Sequence, residues 1–306
     1  MTLRVTGLLH FGMQVPDLSQ GEKFYGDFGL ETGEDDGRLV VRCDGRDQDQ
    51  ALISEGPKKA IGHVAFGIEN GSTDEWTRHL EGLGLKLLDA PAGGREGGLW
   101  FRDPDGNHIN LREEPLAQWR SFGEQTYNWG DVAPRVDQAA WQTLINSRTR
   151  PRRMGHLLLF SSDNEKSEQF YTRTIGMRLS DKIPGGATFM HSAPGDHHIF
   201  GFIQSTHPGL HHTSWEVANI DEIAIGAQTM SQRGYSEAWG LGRHSLGSNL
   251  FTYIRDPWGS WIEYFSDIDK IGENWEPSGT DVPPAVWCAM MPPETFHINF
   301  EEAPRS

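Results

Sequence analysis

The 306-residue chain repeats itself, and any fold proposed for it must accommodate that repetition. His10, Tyr25, His63 and the run Arg102-Asp103-Pro104-Asp105-Gly106-Asn107-His108-Ile109-Asn110 stand against His156, Tyr171, His212 and Arg255-Asp256-Pro257-Trp258-Gly259-Ser260-Trp261-Ile262-Glu263. Partners lie 146 residues apart for His10 with His156 and Tyr25 with Tyr171, 149 for His63 with His212, and 153 for Asn110 with Glu263. Such slow drift is what duplication followed by small loop insertions leaves behind. At the last position the first copy has a neutral amide where the second has a carboxylate that can hold a divalent metal. One half reads as scaffold, the other as site.

The duplication implies two domains, residues 1–135 and 136–306, each large enough to bury its own core. Charged residues at 23%, hydrophobic ones at 36%, 36 glycines and 17 prolines exclude a disordered chain and suit a turn-rich globular one. A formal charge of -16 disfavours nonspecific binding to nucleic acid or to an anionic membrane. No apolar run approaches the roughly 18 residues of a membrane span. Met1 to His10 lacks the features of a secretory signal. Cys43 and Cys288, one per half, suit a reducing compartment and ordinary packing. The cytoplasm is therefore expected, and Arg148, Arg150, Arg152 and Arg153 are read as a solvated linker.

Each half begins with an apolar segment, Val5 to Val15 or Met154 to Phe160, followed by Asp17 or Asp163 and a polar stretch ending in Phe-Tyr. An aspartate there predicts a helix N-cap, because its carboxylate accepts the free N–H groups of the first turn. Ile61 to Ile68 with Thr73 to Gly82, and His212 to Val217 with Ile220 to Gly234, repeat the pattern. The chain thus divides into four units of about 50–60 residues, each a strand, a helix and glycine-punctuated strands. The two Asp-Pro-x-Gly runs predict hairpin turns. Glu114 to Arg153 is expected to be a connector. The proline-rich tail from Ser266 to Ser306 is expected to be irregular and to pack over a site or a subunit contact.

Two histidines and a carboxylate on one side of a metal leave neighbouring positions open, the facial arrangement of non-haem Fe(II) oxygenases. His156 and His212 fall early in the first strands of the third and fourth units, and Glu263 late in the last strand of the fourth. Alignment of Gly62-His63-Val64-Ala65-Phe66 with His211-His212-Thr213-Ser214-Trp215 puts His212, not His211, against His63. Strand parity then turns His211 to the opposite face.

Gly155-His156-Leu157, Leu210-His211-His212-Thr213 and the run from Phe251 to Phe265 resemble the two-domain, type I extradiol ring-cleaving dioxygenases of the vicinal oxygen chelate superfamily. The resemblance covers nearly the whole chain and is most specific from His244 to Phe265. It implies an α+β fold of two tandem domains, each a pair of βαβββ modules, with metal only in the second. It also implies His156, His212 and Glu263 as ligands of Fe(II), with Mn(II) as the alternative, and O2-dependent opening of a catechol-type ring. By the same likeness the partners are a small catechol and O2, and the chain forms a homo-oligomer.

Three further residues match the family pattern: His198, His244, and Tyr253 nine residues after it. The resemblance implies that His198 stabilises superoxide and shuttles the proton, that Tyr253 hydrogen-bonds the ionised catechol oxygen, and that His244 contacts substrate or that same oxygen. Ile199 stands where the family commonly has Asp or Thr, so the neighbouring His197 is the alternative to His198. Phe189, Phe200, Phe202 and Trp215 are read as core with some walling a pocket, Trp239 and Met290 likewise, and His191, His207 and His297 as surface. Competing readings are a glyoxalase-like metal-dependent lyase or isomerase, which needs a carboxylate in both modules where Asn110 removes one, and a non-catalytic small-molecule binding protein.

Overall fold

The structure, a computed structural model, describes residues 3–118, 127–278 and 281–303. The first half opens with strand β1 (Gly7–Val15), helix α1 (Leu18–Phe28), β2 (Glu31–Asp35), β3 (Arg38–Arg42) and β4 (Ala51–Glu55). A second unit follows as β5 (Ala60–Gly67), α2 (Thr73–Gly82), β6 (Leu99–Arg102) and β7 (His108–Arg112). After the short α3 (Ala140–Leu144), the third unit runs β8 (Arg153–Ser161), α4 (Asn164–Ile175), β9 (Arg178–Lys182), β10 (Ala187–His191), β11 (Gly195–Asp196) and β12 (Phe200–Gln204). The fourth is β13 (Gly209–Glu216), α5 (Ile220–Gln232), β14 (Ala238–His244), β15 (Leu250–Arg255) and β16 (Trp261–Ser266), and the tail adds β17 (Lys270–Ile271) and β18 (Ala285–Cys288). This is the α+β arrangement of paired βαβββ modules. In the second module the first strand after the helix is reduced to one bridge, Leu88 to Trp100.

Local chemistry sets the boundaries. Asp17 accepts from the N–H groups of Ser19 and Gln20, and Asp163 from that of Lys166, so α1 and α4 begin where the caps were expected. α1 ends at Gly29, whose φ of 99° places it in the left-handed region that glycine adopts without strain. In the two Asp-Pro-x-Gly turns, Asp103 accepts from the Asn107 N–H at 2.8 Å and Asp256 from the Ser260 N–H at 2.9 Å. Those bonds join β6 to β7 and β15 to β16.

Among the described residues, one sheet has the order β2-β3-β4-β1-β5-β7-β6 and the other β18-β14-β15-β16-β13-β8-β12-β10-β9. The duplication persists in the register. β1 pairs antiparallel with β5 and β8 with β13, setting His10 opposite Ala65 and His156 opposite Ser214. β5 runs parallel to β7 and β13 to β16, setting Ala65 opposite Asn110 and Ser214 opposite Glu263. His156, Ser214 and Glu263 therefore form one row across three strands.

The two halves do not bury separate cores. The largest apolar cluster takes Phe24, Phe28 and Phe66 from the first half and Leu157, Tyr171, Phe200 and Tyr264 from the second. Phe28 and Tyr264 stack with centroids 3.8 Å apart, the Tyr264 hydroxyl donates to the Phe28 carbonyl at 2.7 Å, and the Tyr171 hydroxyl donates to Asp103 at 2.9 Å. Each large side chain buried there contributes about 1.5–3 kcal/mol. Leu157 and Leu159 enter this shared core, so strand alternation leaves His156 and Leu158 on the other face of the sheet.

Three expectations are corrected. The tail is not wholly irregular, because β18 pairs antiparallel with β14 and extends the sheet. Arg153 is no solvated linker residue: it lies in β8, largely buried, in ion pairs with Asp196 and Glu216. His191 is buried rather than at the surface, its Nδ1 2.8 Å from the Ser180 hydroxyl. Residues 119–126 of the expected connector, and 279, 280 and 304–306 of the tail, lie outside the described residues.

Candidate metal centre and substrate cavity

β8, β13 and β16 are adjacent, and His212, two residues before Ser214 on β13, joins His156 and Glu263 of that row. One ligand atom from each lies within 4.8 Å of the others, and all three residues are buried. His156 Nε2 is 3.1 Å, and His212 Nε2 3.9 Å, from the same carboxylate oxygen, Glu263 Oε2. Gly155 precedes His156 because a Cβ there would fall 2.3 Å from the ring of Phe265, which itself stands beside His156.

A divalent cation fits these residues. Glu263 is fully buried, and burial alone would raise its carboxyl; contacts with His156 and His244 outweigh that and hold it well below the usual carboxylate range. Burial lowers His212 to about 3, so its imidazole is neutral, and its buried Nε2 has no hydrogen-bond partner among the described residues. A lone pair aimed at a carboxylate oxygen, without a partner, is the chemistry of a metal ligand.

The first half keeps the histidines without the third group. His10 and His63 rings lie edge to face at 5.3 Å, much as His156 and His212 do at 5.4 Å. Asn110 instead points its amide N–H at the Gly97 carbonyl, at 3.3 Å, and accepts from Arg112 at 3.2 Å. Burial, His63 and then Arg112, Arg95 and Arg38 lower His10 well below its ordinary value. The surroundings there repel a cation.

Above the triad opens a cavity of about 510 Å³. His156, His198, His212, His244 and Tyr253 line it, with Leu158, Ile183, Phe189, Trp239 and Phe296 among its apolar walls. The structure thus gathers every sequence-predicted site residue in one place. His244, at the end of β14, holds Nδ1 2.8 Å from the Pro284 carbonyl and Nε2 3.1 Å from the Tyr253 hydroxyl. Nδ1–H therefore donates to the carbonyl, and Nε2 accepts from Tyr253. Burial and the charge of Glu263 raise Tyr253 well above its ordinary value, so its O–H remains a donor.

Other residues sit elsewhere than expected. His211 does not turn away: a bulge after Leu210 breaks strand parity, and His211 lines the cavity with Nδ1 2.6 Å from Nδ1 of His212. Its Nε2 donates to the Phe296 carbonyl at 3.1 Å, so its Nδ1 accepts from His212, which frees His212 Nε2 as a ligand. His297 also reaches the cavity. Of the expected walls, Phe189 and Trp239 serve, Phe200, Phe202 and Trp215 are core, and Met290 is exposed. Asn249, which no motif marks, donates to the second oxygen of Glu263 at 3.1 Å.

Comparison with known proteins agrees with this architecture. The Glyoxalase/Bleomycin resistance protein/Dioxygenase superfamily matches residues 7–111 and 153–264. The chain belongs to that superfamily and, within it, to the type I extradiol ring-cleaving dioxygenases. It is 36% identical over 278 residues to metapyrocatechase 2 of Cupriavidus necator, covering 88% of this chain and 84% of that protein. It is 22% identical to the 2,2',3-trihydroxybiphenyl dioxygenase of Sphingomonas paucimobilis, covering 94% and 97%. The crystal structure of the Mn(II)-bound glyoxalase from Novosphingobium aromaticivorans superposes with a TM-score of 0.76 at 23% identity, over 99% of this chain and 95% of that one, and shows the shared fold.

Proposed function

We propose that the chain uses O2 to open a catechol-type ring beside its two hydroxyls, in the degradation of aromatic compounds, at one Fe(II) held by His156, His212 and Glu263. The observation that carries this reading is the buried two-histidine, one-carboxylate cluster beneath an apolar cavity of aromatic size. Mn(II) suits the same nitrogen and oxygen donors. The metal belongs to the unit 136–306, and the unit 1–135 is its metal-free scaffold.

A bound ion would supply Lewis acidity toward the two catechol oxygens and electron transfer between the ring and O2. Two neutral imidazoles and one carboxylate leave a divalent ion a net charge of about +1, which suits a catechol that has lost one proton. The apolar walls hold the ring and exclude water. On catechol binding Tyr253 turns its single O–H from His244 Nε2 to the ionised catechol oxygen, and His244 contacts the substrate through the nitrogen so freed. His198 takes a proton at its imidazole and returns it later in the reaction. The chain is a cytoplasmic homo-oligomer in this reading. Trp129, Val132, Val136, Trp141 and Ile145, exposed along the connector, supply an apolar surface for assembly.

Anaerobic loading with Fe(II), followed by a panel of catechols, tests the assignment. The expected result is a yellow ring-opened product with one O2 consumed per ring. An iron-loaded chain that consumes no O2 with any catechol overturns it.

A further inference from the structure

Resting on that reading, we infer that Asp181 and His197 are positioning residues that hold His198 in the tautomer whose bare Nε2 accepts the proton. His197 Nε2 lies 2.8 Å from Asp181 Oδ2, and His197 Nδ1 lies 3.0 Å from His198 Nδ1. All three side chains are buried. The consecutive histidines form a chain that runs from a buried carboxylate on the edge strand β9 to the cavity.

The direction of each bond follows from what each atom can do. An ionised carboxylate only accepts, so the hydrogen in the first contact sits on His197 Nε2. Burial, partly offset by Asp181, lowers His197 below its ordinary value, which leaves the ring with a single hydrogen. His197 Nδ1 is then bare and accepts. The hydrogen in the second contact belongs to His198 Nδ1, and a neutral His198 has its lone pair on Nε2. In this tautomer Nε2 takes a proton from a catechol hydroxyl and gives it back to the product; in the other, Nε2 already carries a hydrogen and cannot.

The chain is held at its carboxylate end and at its middle. The second oxygen of Asp181 accepts from the Ser278 N–H at 2.7 Å, which opposes rotation of the carboxylate. The His197 backbone N–H donates to the Asp269 carbonyl at 2.8 Å, and its carbonyl accepts from the Ser180 hydroxyl. The His211-His212 pair repeats the Nδ1-to-Nδ1 contact but ends on a neutral carbonyl, that of Phe296. A neutral terminus suffices to orient a ligand, whereas a residue that becomes cationic during turnover gains from an anion at the far end.

Two measurements on the full-length chain test the inference. Nitrogen-15 NMR of the metal-free, histidine-labelled protein, with the His198 signals assigned by their loss in His198→Gln, should show hydrogen on Nδ1 of His198; hydrogen on Nε2 overturns the inference. In the Fe(II)-loaded enzyme, Asp181→Asn should lower kcat about 100-fold, the lower end of what a placed acid–base group contributes, while KM and iron content stay within about twofold. A wild-type kcat in iron-loaded Asp181→Asn also overturns it. A wild-type chain that loads iron yet opens no catechol refutes the dioxygenase reading instead, and the NMR result still decides the tautomer.

Discussion

Asn110 occupies in β7 the register that Glu263 occupies in β16: each lies opposite the residue, Ala65 or Ser214, that faces the first histidine of its half. An amide in place of a carboxylate, with Arg112, Arg95 and Arg38 near His10, thus separates two centres whose histidine pairs are arranged alike. His10 and His63 pack edge to face and are buried in the first half.

One equivalent of metal per chain is the direct consequence. Elemental analysis of protein loaded with Fe(II) and desalted should give a ratio near one, and Glu263→Ala should abolish it with more than about 100-fold loss of ring cleavage. Two tightly held equivalents would mean that His10 and His63 also bind. His212→Ala should behave as Glu263→Ala does, with the fold retained by circular dichroism.

Asn249 holds the oxygen of Glu263 that faces away from His156. Removing that hydrogen bond frees the carboxylate to rotate. Asn249→Ala should weaken metal binding about 10- to 100-fold, the usual cost of losing a partner behind a ligand. Chelator competition reads this directly, and unchanged affinity would show that Glu263 is fixed by its neighbours alone.

Glu301 fastens the tail to the first half. It sits 3.1 Å from Lys59, with side-chain exposures of 6% and 5%, and accepts from the N–H groups of Ile61 and Leu210 at 2.8 Å each. Glu301→Ala leaves the buried Lys59 ammonium bonded to Leu210 and Ser260 but without its ion-pair partner, and should cost about 3–5 kcal/mol. Because Phe296, five residues earlier, walls the cavity, KM for catechol should rise as well. Thermal denaturation and steady-state kinetics check the two effects, and the double variant Lys59→Met with Glu301→Leu should recover part of the stability.

Acid should unfold the metal-free protein. Burial lowers His63 to about 3 and, with Arg178, His191 to about 4, from an ordinary value of 6.5. A histidine whose folded-state pKa is depressed takes up a proton on unfolding, so stability falls as pH drops below about 6.5 and continues to fall until about pH 4 for His191 and pH 3 for His63. Each such group contributes up to about 1.4 kcal/mol per pH unit within its window. Urea midpoints measured between pH 7 and pH 4 should decrease steadily; a flat profile contradicts the burial of these rings.

What the sequence determined by itself was local or repetitive. Asp17 and Asp163 cap their helices, and Asp103 and Asp256 close their turns, because these bonds join residues at most four apart. The duplicated landmarks aligned His156, His212 and Glu263 with His10, His63 and Asn110, so the half that keeps the carboxylate was legible before any coordinates. Strand parity, however, says which side of a regular strand a residue takes, and the bulge after Leu210 cancels it for His211. The order of the hydrogens along Asp181, His197 and His198, the anchoring of Glu263 by Asn249, the core shared between the halves and the closure of the cavity by Phe296 were decided by tertiary structure. They depend on segments far apart in the chain meeting at hydrogen-bond distance, and periodicity encodes the face of an element but not the element it meets.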